Sequence, residues 1–213
     1  TFEVPISFTE LQVKESFNNK EQLNGFLSMI FNAVETAMTI RLDNLIMRAI
    51  NNMTAETIID DLEDSEGNID LTISGVKAIN LLALYNAEKA EQLVAEDAIK
   101  DPDFIRFASY MISLYKDRMS KISTLFNVGK KERFTPAEDV SLVLLSDFAS
   151  ASSVFLQSDT FNKELVSLPK HETVPYWQGS GADYDFEDVS KIHVKTSSKK
   201  EVEASGILGV MFD

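Results

Sequence analysis

The sequence predicts an α+β protein in which one very long helix precedes a mixture of shorter helices and strands. Three observations lead to this prediction: apolar residues recur every three or four positions from Lys20 to Met53, shorter helical stripes follow, and apolar runs typical of strands occur near both ends. The chain has 213 residues, of which 44% are hydrophobic, enough for one sizeable core or two small domains.

The predicted long helix spans Lys20–Met53. No proline interrupts this stretch, and its only glycine is Gly25, in the first turns. The apolar repeat does not keep a strict heptad, so a coiled coil is the weaker hypothesis. We expect one continuous helix, a spine on which other layers pack, that buries one face consisting of Phe26, Ile30, Val34, Leu45 and Ile46.

A predicted strand, Thr1–Phe8, precedes this helix. Its apolar residues lie at alternate positions, and Pro5 places it at a sheet edge or beside a bulge. The segment 54–70 then contains seven acidic residues and no basic one. We place a hinge near this shift in composition and predict two domains, residues 1–55 and 56–213. The acidic segment resembles part of an EF-hand loop, but Leu62 and Ile73 occupy its first and last ligand positions, so we predict no calcium site.

The second half of the chain alternates between helix and strand signals. Asp101 and Pro102 have the residue types of an N-cap and a first helical position, and Asp147 is a second candidate cap. The remaining predictions are a strand at Leu71–Ile73, a helix over Val76–Val94, a helix from Pro102 to about Ile122, a buried strand at Val140–Leu145, helices over Phe148–Leu156 and Thr160–Val166, and strands at Val189–Val194 and Gly206–Phe212.

Composition narrows the possible functions. The formal net charge is −14, which disfavours binding to nucleic acid. The chain has no cysteine, which excludes disulfides and thiolate zinc sites. Its apolar runs are too short for a transmembrane helix. The first residue is Thr1 and the last apolar run reaches Asp213, so we expect the chain to be part of a longer protein.

No catalytic constellation is evident, and we predict no catalytic, cofactor-binding or metal-ligating residue. His171 and His193 have no nucleophile elbow or metal-binding partner near them in sequence. The stretch Gly179–Gly181 lacks the rest of a phosphate-binding loop. Two alternatives stay open: a carboxylate-dependent hydrolase with Trp177 lining its site, and a helical adaptor that binds a partner's groove.

The order of elements, an edge strand, a very long helix, a hinge and a compact α/β part, resembles that of the major capsid proteins of tailed bacteriophages. Short sequence segments in the second half are also similar to head proteins of this family, at Phe134–Val140, Phe161–Val166, Val174–Gly181, Phe186–Ile192 and Gly206–Asp213. The resemblance implies a peripheral domain with the spine helix and an axial domain of helices around a central mixed sheet.

The same resemblance implies a non-enzymatic structural subunit of an icosahedral phage or prophage capsid. Its expected partners are other copies of itself, as hexamers and pentamers, together with scaffolding, portal and decoration proteins. It implies no cofactor, no sequence-specific nucleic acid and no membrane, and a place in the virion capsid after assembly in the bacterial cytoplasm. We expect the loops Lys130–Pro136 and Trp177–Asp183 near the contacts between axial domains.

Overall fold

The computed structural model describes Ser7 and residues 20–89, 92–121, 135–157, 168–177, 188–196 and 200–212. Its internal contacts separate two compact units, Thr1–Ala49 and Ile50–Asp213. The predicted strand at 1–8, except for Ser7, and the predicted helix at 160–166 lie outside the described residues. The described elements are a mixture of helices and small sheets, which is compatible with the predicted α+β class.

The long helix, α1, is continuous over Lys20–Leu62, so it extends nine residues beyond the predicted end at Met53. The hydroxyl groups of threonines within it donate to the carbonyl four residues earlier, so these hydroxyls find their partners inside the helix. Thr39 Oγ1 donates to Glu35 O at 3.0 Å, and Thr54 Oγ1 donates to Ile50 O at 2.9 Å. The prediction of one unbroken helix is confirmed.

The prediction of which residues α1 buries was wrong. Leu45 and Ile46 are exposed, each by about half of its surface, while Phe26, Ile30 and Val34 are only half-buried. The buried positions all lie near the end of the helix, at Ile50, Asn51, Ala55, Ile58 and Leu62. Periodicity identifies residues that share a helix face, but it does not say whether another segment covers that face.

Residues 71–73, predicted as a strand, form turns instead. The Asp70 carboxylate accepts hydrogen bonds from the backbone N–H and the hydroxyl of Thr72, and this local turn replaces ladder pairing. Within the described residues of the range 76–94, the predicted helix is limited to α2, Leu81–Ala87. Asn80 determines where α2 begins, because its side chain accepts a hydrogen bond from Ala83 N at 2.9 Å.

Two further helices follow, α3 at Ala95–Ala98 and α4 at Pro102–Met119. The predicted cap of α4 is confirmed: Asp101 Oδ1 accepts from Phe104 N at 2.7 Å, and Pro102 occupies the first turn. The helix ends at Met119 with Ser120 as its C-cap, before the predicted end at about Ile122, which lies outside the described residues.

A three-stranded sheet has the order β2–β1–β5, with β1 at Ser141–Leu145, β2 at Glu172–Val174 and β5 at Gly209–Phe212. The central strand pairs in parallel with β2 and antiparallel with β5. Its central position explains the uninterrupted apolar run Leu142–Leu145, which is buried throughout. Gly209 is required opposite this strand, because a Cβ there would lie 3.0 Å from Val143 O and closer still to the Leu144 side chain.

Helix α5, Ser146–Gln157, starts directly after β1, so Asp147 lies in its first turn and the prediction that Asp147 caps it was wrong. The core of the second unit is formed between α2, α3, α4, α5 and the sheet. The rings of Tyr85 and Phe104 meet edge to face there at 5.5 Å. Its buried members are Tyr85, Ala98, Phe104, Ile105, Ala108, Leu142, Leu144 and Phe148.

A separate antiparallel hairpin consists of β3, Ile192–Lys195, and β4, Glu201–Ala204. Alternate residues of both strands are buried, and His193 lies on the exposed face, as predicted for a half-buried strand. The strand predicted at Val189–Val194 is confirmed as β3, and the strand predicted at Gly206–Phe212 is confirmed with shorter bounds as β5. Strand β4 was not predicted.

Candidate assembly surface

The first half of α1 exposes large apolar side chains along its length. Phe31, Met38 and Leu45 recur every seventh position, so they share one face, and Phe31 is 69% exposed. Exposed apolar patches of this kind mark surfaces that bind other proteins. The full set of large exposed apolar residues between positions 20 and 49 is Leu27, Met29, Phe31, Met38, Ile40, Leu42, Leu45 and Ile46.

The chain turns sharply where α1 ends. Asp64 Oδ1 accepts hydrogen bonds at 2.8 Å from the backbone N–H of Glu66 and of Asn68. The backbone hydrogen bond from Asn68 is the largest cause that lowers the pKa of the Asp64 carboxyl below its ordinary value. Gly67 has φ +87°, a left-handed conformation that favours glycine. This carboxylate therefore organises its own turn, and the absence of a calcium site here stays a prediction.

The segment that follows, residues 71–76, is called the apolar loop below. It exposes three large apolar side chains, Leu71, Ile73 and Val76. Sequence reasoning missed this surface because it treated residues 71–73 as a strand. The available signals were Asp70 two positions before Thr72, a spacing typical of a side-chain turn, and Asn80 before α2.

Trp177, the residue on which the hydrolase hypothesis depends, is only 5% exposed. Its indole Nε1–H donates to Ile207 O at 2.9 Å, and its backbone N–H donates to Val189 O at 3.3 Å. The ring therefore anchors one loop to the segment before β5 and offers no face to a substrate. The other residues of the predicted contact loop, 178–183, lie outside the described part of the chain.

The two histidines are far apart in sequence and have different surroundings. His171 Nδ1 lies 2.8 Å from Pro169 O, and His193 Nε2 contacts the Glu201 carboxylate across the hairpin. Neither contact provides a nucleophile with its base. In the described residues, no group of three or more His, Cys, Asp or Glu side chains could hold a metal ion.

These features define a class of protein: a chain that exposes a long apolar helix face and an apolar loop is suited to assembly with other protein chains. The sequence model of the Phi29-like phage major capsid protein family matches residues 1–213. The chain therefore belongs to the Phi29-like phage major capsid protein family, in agreement with the resemblance seen in the sequence. Searches of curated proteins and of solved structures gave no match.

Family membership makes the chain a structural subunit of a phage capsid that assembles with copies of itself in the virion. The hydrolase alternative has no support in the comparisons or in the surroundings of Trp177. No helix in the described part of the chain has the length and apolar character needed to cross a bilayer.

Proposed function

We propose that this subunit tiles a closed icosahedral shell and has the fold of tailed-phage capsid proteins. Residues 1–55 then form the peripheral-domain strand and spine helix, and residues 56–213 form the axial domain. The observation that supports this most directly is the uninterrupted helix α1 with exposed apolar residues along its first half. A solitary globular protein seldom exposes so many large apolar side chains on one helix.

In this proposal, axial domains meet around five-fold and six-fold axes as pentamers and hexamers. Contacts that join different surfaces of two copies close into rings when the rotation closes. The loops at 130–136 and 178–183 supply part of these contacts. Trp177 belonged to the second predicted contact loop, but we do not include it in the contact because its side chain is buried in its own subunit.

The proposal also covers the proteins that bind the shell and the compartment in which the shell assembles. Scaffolding, portal and decoration proteins bind the shell, and assembly takes place in the bacterial cytoplasm. The chain has no enzymatic activity. Its net charge of −14 suits a shell that must not bind the packaged DNA tightly, because each phosphate contact would add affinity and salt dependence.

Electron microscopy tests the proposal. The protein is produced in a bacterial host together with its scaffolding protein, and the particles are purified by sedimentation. Closed shells, or rings of five and six subunits, are the expected result. A compact monomer under all conditions of salt and protein concentration would rule out the shell.

A further inference from the structure

The apolar loop, residues 71–76, exposes three large apolar side chains within a short segment. Leu71, Ile73 and Val76 are each between 39% and 49% exposed. Burying such side chains against a partner stabilises a complex in proportion to the apolar area that is covered. Their exposure therefore indicates a contact with another protein surface.

Hydrogen bonds hold the apolar loop against the end of α1. Asp61 Oδ2 accepts from Lys77 N at 2.6 Å and from Ala78 N at 2.9 Å. Asn80 Nδ2 donates to Leu71 O at 2.7 Å on the other side of the loop. The apolar side chains are thus presented on a preorganised support, which lowers the entropic cost of binding.

The surroundings of the loop are acidic. The segment 56–70 carries seven acidic residues and no basic one, and the lysine that follows the loop pairs with a carboxylate near the end of α1. Asp64, Glu66 and Asp70 are exposed just before the loop. A partner that covers the loop should therefore combine an apolar surface with positive charge at its margin.

The stretch of α1 from residue 36 to residue 49 exposes an apolar surface of suitable size. Met38, Leu42 and Leu45 are each between 48% and 51% exposed. At about 100° per residue, Leu42 and Leu45 lie within about 40° of Met38 around the helix, so the three form one stripe. Met38 and Leu45 are about 10 Å apart along the helix axis, a length that a loop of six residues can cover. These three residues are called the apolar stripe below.

Positive charge lies along one margin of the apolar stripe. Arg41 and Arg48 are seven positions apart and both are exposed, so they share the side of the helix next to the stripe. Asp43, the one acidic residue of this stretch, lies about 140° around the helix from Met38. The earlier part of α1, residues 20–35, has two acidic residues and one basic one, so its charge does not match the loop.

We propose that the apolar loop of one subunit docks on the apolar stripe of α1 in a second copy of the chain, with Glu66 on the side of Arg41 and Arg48. Both surfaces are exposed within one copy, so the contact joins two copies. The two surfaces differ, so the contact is head-to-tail and can close into a ring. This inference rests on the proposed shell, and it names one pair of surfaces that joins neighbouring subunits.

A cysteine pair tests the contact without background, because this chain contains no cysteine. The double variant Ile73→Cys with Leu45→Cys is treated with a short bismaleimide under conditions in which shells form. A ladder of covalent dimers, trimers and larger products is expected, since a head-to-tail contact links each copy to two others. The matched control is Ile73→Cys with Ile40→Cys, which uses a residue that is 55% exposed on another side of α1 and should give no ladder.

The two single variants distinguish this contact from a contact between two copies of α1. Ile73→Cys and Leu45→Cys should each give only monomer when assembled alone, and a mixture of the two should give a covalent dimer and no larger product. A dimer from Leu45→Cys alone would show that α1 packs on α1 of the second copy, and it would overturn the inference.

A charge swap provides a second test. Glu66→Lys and Arg48→Glu should each weaken association about tenfold, and combining them should restore it. The loss should fade in about 1 M salt, where the Debye length is about 3 Å. Glu88→Lys makes the same charge change at another exposed position and should leave association unchanged.

The outcomes separate this inference from the shell itself. Shells that form normally in the double cysteine variant, with no ladder, would overturn the contact and leave the shell proposal standing. Single charge reversals that assemble like the natural protein would do the same. A ladder from a protein that gives neither shells nor rings would support the contact and overturn the shell, and the absence of ladder, shells and rings together would overturn both.

Discussion

Replacing Asn51 by leucine is expected to stabilise the protein, although the change places an apolar residue where the natural chain has an amide. Asn51 is 1% exposed, and within the described part of the chain neither its Oδ1 nor its Nδ2 has a hydrogen-bond partner. A buried polar group without a partner loses its hydration and gains nothing in return, at a cost of about 1–3 kcal/mol. The amide therefore reduces the stability of the end of α1.

The expected increase in the free energy of unfolding depends on the shapes of the two side chains. Leucine has the same number and branching of side-chain heavy atoms as asparagine, but it is larger, so the site must repack and this repacking offsets part of the gain. We expect Asn51→Leu to raise the free energy of unfolding by about 1–3 kcal/mol. In a domain of this size, that corresponds to a rise in melting temperature of about 2–4 °C for each kcal/mol.

Urea denaturation followed by circular dichroism measures the effect, and the neighbouring Asn52 provides the control. Asn52 is exposed in the same helix, so Asn52→Leu reports only the better helix propensity of leucine, about 0.5 kcal/mol. If Asn51→Leu destabilises the protein, or stabilises it no more than Asn52→Leu does, removing the buried amide does not give the expected gain and the reasoning is wrong.

Three further predictions use the same assay. Leu45→Ala should lower the free energy of unfolding by less than about 1 kcal/mol, because Leu45 is exposed. Ile105→Ala, at a fully buried position, should lower it by about 2–5 kcal/mol. Equal losses in the two variants would contradict the exposure of α1. Gly75→Ala should destabilise the protein by about 1–3 kcal/mol through collision with Asp61, and the loss should shrink in an Asp61→Ala background. The pKa of the Asp70 carboxyl is held below its ordinary value of 3.8, first by the hydroxyl of the threonine two residues later. Its contribution to stability is therefore complete above pH 3.8 and lost as the pH falls towards the lowered pKa, so Asp70→Asn should flatten the decline in stability below that pH.

Several elements could be predicted from the sequence because their causes are local. Helix α1 follows from a long apolar repeat without proline, and the start of α4 follows from Asp101 and Pro102. The buried strand β1 follows from a short apolar run. The family resemblance rests on the same order of elements, and the family match confirms it.

The candidate surfaces could not be predicted in the same way, because their exposure depends on segments that are distant in sequence. The apolar loop is held by Asp61, whose carboxylate reaches backbone groups 16 and 17 residues later. Lys200 reaches Glu63 across 137 residues, and Trp177 is buried by its contact with Ile207. A sequence pattern of a few residues contains no information about such contacts.

The sequence by itself determined where the chain becomes helix or strand, since backbone preference, capping and apolar period act within one or two turns. Only the tertiary structure decided that Leu45 faces solvent while Asn51, six residues later in the same helix, is buried. The physical reason is that burial depends on which other segments pack against a face, and those segments are brought together only by the completed fold.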